Sequence, residues 1–357
     1  MVTIKGDVRF CCNALRRSGF RGAEYPVTRT SSPASRHPYL VTALLLGCLG
    51  AAPAPAADNY PSRPVRMIIP FPAGGPADFV GRLYAQQLAD AWSNPVVTDN
   101  RTGASGIIGT EIAVRSAPDG YTLLFGSTTT FAVNALLMKK LPYDVFRDLD
   151  LIGLVAIAPH VLAVRADIPA KDVKDLIALA KKQPGKLTFA SAGPGTIVHM
   201  AGELFKHQAG VNIVHIPFKG GGPATIGLLA GEVDMVVNDL SAVLVHVKSG
   251  KLRSLAAAHS RRLQPLPDVP TFAEAGLPGV ESSTWWGMAV PVKTPRALMT
   301  RIKAAHDQVL ARPVYGERLA VLAMEPLALS GEQGAAFIRR EIEKWRKVVT
   351  AANVKLD

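Results

Sequence analysis

The chain has 357 residues, a formal charge of +12 at neutral pH, 48% hydrophobic residues and three cysteines, Cys11, Cys12 and Cys48. All three cysteines fall within the first fifty residues, which excludes disulfides, thiol nucleophiles and cysteine-held metals from everything that follows. The bases are spread along the chain with few aromatics among them, so they do not form the basic stripe a nucleic-acid surface needs.

Residues 1–38 carry seven bases against two acids, and the apolar run Tyr39 to Gly50 and an Ala/Pro stretch follow. That order is the layout of a secretory signal. Ala54-Pro55-Ala56 meets the small-x-small cleavage rule, so residues 1–57 are the expected leader and the periplasm the expected location. Leu45-Leu46-Gly47-Cys48 also resembles a lipoprotein box, whose cleavage before Cys48 would tether the protein through lipid. The basic stretch is long for a signal and no Met follows Met1 before Met67, which leaves open a start inside the leader. Arg16-Arg17 stands too far from the apolar run to act as a twin-arginine signal. Removing the leader's charges leaves 33 bases against 26 acids, or +7, a weak bias toward anionic ligands. No later apolar run is long enough to cross a bilayer, and the remaining chain is large enough for two domains.

In chain order, Val65 to Phe71 reads as a buried strand and Ala77 to Trp92 as a helix, with the bend FPAGGPAD (Phe71 to Asp78) between them. Strands are then expected at Pro95 to Asn100, Tyr121 to Ser127, Leu187 to Ser191, Asn212 to Phe218 and Val233 to Asn238, and an extended segment at Val161 to Arg165. Helices are expected at Ile107 to Ser116, Lys171 to Gln183, Ile197 to Ala209 and Pro223 to Ala230. Trp285-Trp286-Gly287 leads into an apolar strand ending at Pro291, and helices near Pro295 to Leu310 and Glu332 to Ala352 close the chain. Strands alternating with helices indicate mostly parallel sheets in an α/β fold.

Two more bends repeat the strand, glycine, helix pattern: SAGPGT (Ser191 to Thr196) and FKGGGPAT (Phe218 to Thr225). Each makes an anion seat, because the first N–H groups of a helix lack internal partners, carry partial positive charge and are bared where glycine removes the side chain. The sequence of elements over residues 65–130 is echoed over 187–241. Ligands of open α/β sheets sit at the carboxyl ends of strands, so two such halves facing each other predict a cleft lined from both sides. The expected division is 58–160 with 282–357 in lobe 1 and 161–281 in lobe 2.

Within that cleft, Ala73, Gly74 and Gly75 can bare amides to a carboxylate with Asp78 bracing the bend, or can simply form a tight turn. Ser127 and Thr128 end a strand where hydroxyls can donate to a ligand, although such residues also cap helices. Ala192, Gly193, Gly195 and Thr196 open the next helix, with Thr196 as its cap, and His199 faces either the cleft or the sheet. Lys219, beside Gly220, can pair with a second carboxylate or stand in solvent; Arg101 has the same standing or ties two loops together. Asp239 can accept from a ligand amine or cap a turn, and Trp285 and Trp286 are expected to pack at the lobe junction.

The landmarks Pro72-Ala-Gly-Gly75 with Asp78, Asp99-Asn-Arg101, Pro118-Asp-Gly-Tyr121, Leu141-Pro-Tyr-Asp144, Ala190-Ser-Ala-Gly193 with Gly195-Thr196 and His199, Pro217-Phe-Lys-Gly220 and Leu266-Pro-Asp-Val-Pro-Thr271 stand in order within a match that spans Tyr60 to Asp357. In them the sequence resembles the Bug receptors, the extracytoplasmic solute-binding proteins of tripartite tricarboxylate transporters. The resemblance implies a two-lobed periplasmic binding protein fold, type II-like, closing over a small carboxylate held by backbone amides, hydroxyls and bridging waters. The implied ligand is a dicarboxylate, tricarboxylate, amino acid or aromatic acid, and the implied partners are membrane permease subunits. A monomer without cofactor, metal or nucleic acid is expected. Pro76, Thr102, Ala135 and the loop Asn238 to Ser241 depart from the family's usual residues, which bears on ligand identity more than on class. A sensor subunit for a signalling partner is the alternative. A bilobal enzyme is disfavoured, since the sequence carries no G-x-S-x-G elbow and no H-E-x-x-H.

Overall fold

In the computed structural model the described residues are Asn59–Val354. The leader, its cleavage sites and Cys48 lie outside them. The chain runs β1 (Val65–Ile69), α1 (Pro76–Trp92), β2 (Val96–Asn100), a 3-10 turn at Ala104–Gly106, α2 (Ile107–Val114) and β3 (Thr122–Ser127). A π turn at Thr129–Val133 leads through α3 (Asn134–Leu137) and α4 (Val145–Asp148) into the long strand β4 (Leu149–Arg165). Next come α5 (Val173–Lys182), β5 (Thr188–Ser191), α6 (Ile197–Ala209), β6 (Val214–Pro217), α7 (Gly221–Ala230), β7 (Met235–Asp239), α8 (Leu240–Lys248) and β8 (Leu252–Ala257). The chain returns through β9 (Ser283–Pro291), α9 (Arg296–Leu310), α10 (Pro313–Val321), β10 (Glu325–Pro326) and α11 (Gly331–Ala351).

The sheet order is β2-β1-β3-β9-β4-β7-β5-β6, with β8 and β10 also pairing β4. Strands joined by crossover helices pair in parallel: β1 with β2 and β3, and β5 with β6 and β7. The centre differs from the mostly parallel sheets expected. β9 runs antiparallel to β3 and β4, and β4 runs antiparallel to β7, β8 and β10, so the sheet is mixed. The reason is that β4 and β9 are long crossing strands. β4 pairs with β9 over Leu149 to Pro159, then with β7 and β8 over His160 to Arg165.

Most of β4 was not legible as a strand, because Gly153 and Pro159 punctuate it. Gly153 is required by a close approach: an added Cβ would lie 2.3 Å from His306 Nε2. Pro159 stands at the exchange of partner strands. The segment after Asn238 also differs, since β7 ends at Asp239 and α8 starts on the next residue. Helix α1 follows from its sequence directly. Pro76 takes the first helical position, where its missing N–H costs nothing, and Val80, Tyr84 and Leu88 recur at helical spacing and are fully buried.

Three apolar clusters form the core. One packs Val65, Met67 and Phe125 with α1 and α9, a second packs Ile68, Leu124 and Trp285 on the other face, and the third joins β5, β7 and α6. Helix α11 serves two of them, with Ile338 in the second and Trp345 in the third. No helix among the described residues is long and apolar enough to cross a membrane.

Candidate functional site

The three glycine bends come together around one space. A cavity of about 100 Å³ is lined by Ala73, Gly75 and Ala77 from the first bend, Ala192, Thr196 and Val198 from the second, and Gly220 to Pro223 from the third. Ser127 and Thr129 at the end of β3, Asp239 at the end of β7, and Thr284 and Trp286 on β9 complete its wall. The bends face one another closely: a Cβ added to Gly222 would lie 4.0 Å from the Gly74 carbonyl oxygen, and one on Gly220 would lie 3.7 Å from Pro72 Cγ.

Each bend is braced before any ligand arrives. Asp78, 4% exposed, accepts from Gly74 N–H at 3.0 Å and Arg82 Nε at 2.9 Å through one oxygen, and from Asn100 Nδ2 at 2.9 Å through the other. Burial acts to raise the Asp78 pKa, but the bonds from Arg82, Gly74 and Asn100 outweigh it and hold the carboxyl below its ordinary value. In the second bend Thr196 Oγ1 donates to the Gly193 carbonyl at 2.8 Å and accepts from His199 N–H at 3.3 Å as a helix cap. The third bend is tied to the second by Gly220 N–H donating to the Ala192 carbonyl at 3.1 Å. Gly220 has φ 120°, a conformation that favours glycine.

These braces leave specific donors free. In α1 the Ala77 N–H is the second helical amide, after a proline that has none, and no residue within the helix can accept from it. In α6, Ile197 N–H is taken by Thr129 Oγ1 at 3.1 Å and His199 N–H by the cap, which leaves Val198 N–H. In α7, Gly221 and Gly222 occupy the first two positions, and Pro223 has no N–H. All four residues line the cavity, at the positive ends of three helices of 17, 13 and 10 residues.

Seven of the residues singled out from the sequence, Ala73, Gly75, Ser127, Ala192, Thr196, Gly220 and Asp239, line this cavity. Gly193 and Lys219 line an adjoining groove of about 770 Å³ that shares Phe71, Pro72, Ala192, Thr196 and Gly220 with it. Gly74, Asp78, Thr128, Gly195 and His199 line neither and instead hold the walls. Thr128 Oγ1 accepts from Trp285 N–H at 2.8 Å, pinning the π turn to β9. Arg101 pairs with Asp99, which also holds Arg66, so it belongs to the β1–β2 edge. Trp285 is buried and stacked on Phe131, while Trp286 reaches the cavity.

Ala77, Gly221 and Gly222 lie within the bends identified from the sequence but, like Val198, were not singled out individually, although the signal was present. Free amides belong to the first helical positions, one or two residues beyond the glycines that attract notice. Thr129 and Thr284 carried no such signal.

His199 is turned into the protein. Its Nδ1 accepts from Gly195 N–H at 3.1 Å and its ring stacks on His215 with centroids 3.9 Å apart. Burial first, then the neighbouring His215 and Lys206, push the His199 pKa down to about 3. Burial likewise brings His306, against Tyr84, down to about 4. A folded pKa below the ordinary imidazole value of about 6.5 means the unfolded chain takes up more protons, so this stability is present above pH 6.5 and lost as pH falls toward 4. At pH 5.5 the loss is about 1.4 kcal/mol for each buried ring. Denaturant unfolding from pH 7.5 to 4.5 is expected to show the decline, and His306→Asn to reduce its slope; a flat profile contradicts the assignment.

Residues 80–354 match the family described as tripartite tricarboxylate transporter family receptor. The chain is 37% identical over 317 residues to protein BugT of Bordetella pertussis, covering 88% of this chain and 97% of that protein. It is similar to the solved periplasmic binding protein BugD at 34% identity and TM-score 0.79, over 83% of this chain and 99% of that one. It is also similar to Rpa4515 of R. palustris, solved with adipate, at 31% identity and TM-score 0.80, over 83% of this chain and 99% of that one.

Proposed function

This chain belongs to the tripartite tricarboxylate transporter receptor family, and from that premise we propose that it captures a small carboxylate in the cavity between two lobes and delivers it, closed, to membrane permease subunits. The family is one of receptors rather than enzymes. The observation that supports this reading is that Ala77, Val198, Gly221 and Gly222, whose helix-start amides lack an intrahelical acceptor, all line one cavity. Such a seat recognises a carboxylate group without breaking a bond. The adipate held by a relative of 31% identity supports the same ligand class here.

In this reading 58–160 with 282–357 forms one lobe and 161–281 the other, exchanging chain where β4 changes partners at Pro159 and His160. The contacts of Thr129 with Ile197 and of Ser105 with Pro194 link the two sides in the closed form. Ligand shifts an open to closed equilibrium by its better fit to the closed state. The receptor works as a monomer in the periplasm, as the secretory layout of residues 1–57 supports.

The test is a thermal-shift screen of the protein without residues 1–57 against di- and tricarboxylates, amino acids and aromatic acids. Ligand at about 100 times its dissociation constant adds roughly 2.7 kcal/mol, so one class is expected to raise the melting temperature clearly. If none does, carboxylate capture is refuted. A sensor role instead of transport is separated by uptake measurements with the permease subunits present.

A further inference from the structure

Two buried polar atoms on residues that line the cavity make no hydrogen bond within the protein. Asp239 is 4% exposed, and its Oδ1 is buried without a hydrogen bond; Ser127, 2% exposed, has an unpaired Oγ. His160 Nε2 lies 3.3 Å from that Asp239 oxygen but hydrogen-bonds Thr284 Oγ1 at 2.9 Å instead, while His160 Nδ1 meets Ser282 Oγ at 2.7 Å. The Asp239 and Ser127 side chains stand at the ends of β7 and β3, from the two sides of the cleft, and line the same space.

A buried carboxylate oxygen without a donor is costly, and the cost is relieved when a ligand brings the donor. A plain dicarboxylate brings only acceptors. Its second charged group would share a small space with Asp239, and like charges there repel. An ammonium group brings three donors and an opposite charge.

Resting on the carboxylate-receptor reading above, we propose that the cavity takes an α-amino acid, its carboxylate on the helix-start amides and its ammonium group on Asp239 and Ser127 Oγ. Asp239 is then the residue that selects for the amine. The zwitterion matches a wall that is electropositive at three helix ends and negative at one side chain.

The experiment compares, by calorimetry, each of the twenty L-amino acids with the acid of the same skeleton lacking the amino group, such as L-aspartate with succinate and L-glutamate with glutarate. At least one amino acid is expected to bind about 30-fold or more tightly than its counterpart, as a buried charge pair implies. In Asp239→Asn that preference is expected to fall to within about threefold, and Ser127→Ala to reduce it partway. Counterparts that bind as tightly as the amino acids in the unmutated protein overturn amine selection and leave the receptor reading standing. If neither set nor any tricarboxylate binds, both readings fall together. The unmutated comparison decides the matter even if Asp239→Asn does not fold.

Discussion

Replacing Gly222 with leucine is expected to abolish the binding of small carboxylates while leaving the unliganded protein folded. Gly222 is the second residue of α7, with helical backbone that leucine adopts readily, and leucine is the better helix former. A Cβ there meets the Gly74 carbonyl oxygen at an ordinary 4.0 Å, so the first carbon fits. The branches beyond it must either fill the cavity of about 100 Å³ or push the first and third bends apart. Either outcome removes the proposed seat, because Ala77 and Gly222 no longer line one open space. Affinity should fall more than about 100-fold, which erases the roughly 2.7 kcal/mol that ligand would otherwise add to stability. Circular dichroism should be unchanged, and the ligand-induced thermal shift absent. Binding by the variant within about threefold of the unmutated protein would show that these bends do not form the seat.

Truncating Trp345 to alanine is expected to destabilise the protein strongly. Trp345 is fully buried near the end of α11 and packs into the cluster built on β5, β7 and α6, while Ile338 of the same helix packs into the cluster around β3 and Trp285. The helix therefore fastens the two sides of the sheet together. Loss of so large a side chain costs about 3–5 kcal/mol through lost burial and the cavity left behind. The bond from its Nε1 to Glu341 at 3.3 Å goes with it. For a domain of this size the melting temperature should drop by roughly 6–10 °C. A change below about 1 kcal/mol in denaturant unfolding would contradict the fastening role.

The parts of the fold that were legible are those set by near neighbours. α1 and α6 emerge within one residue of expectation because apolar residues repeat at helical spacing and because Pro76 and Thr196 mark their starts. β1, β3, β5 and β7 were readable as short apolar runs bounded by glycines. β4 was largely hidden, since a strand holding Gly153 and Pro159 makes sense only once His306 and the exchange of partner strands are in view. α8 was hidden for a related reason: Leu240–Lys248 is rich in β-branched residues, and tertiary packing overrides their strand preference.

At the site, the glycine bends could be named from the chain because a helix start needs no distant partner to leave its amides unpaired. Orientation could not. Whether His199 faced ligand or sheet was decided by Phe189 of β5 and His215 of β6, which stack on it. Whether Asp239 capped a turn or met the cavity was decided by the neighbours β4 and β9 bring to it, His160 and Thr284. The sequence by itself thus determined the three bends that are the proposed anion seats, since a strand, a glycine bend and a helix start are governed by backbone preferences over a few residues. Only the tertiary structure decided that the three seats, together with Ser127 and Asp239, share one space. Residues near 75, 198, 222 and 239 are brought together by antiparallel crossing strands, whose pairing depends on contacts far apart along the chain.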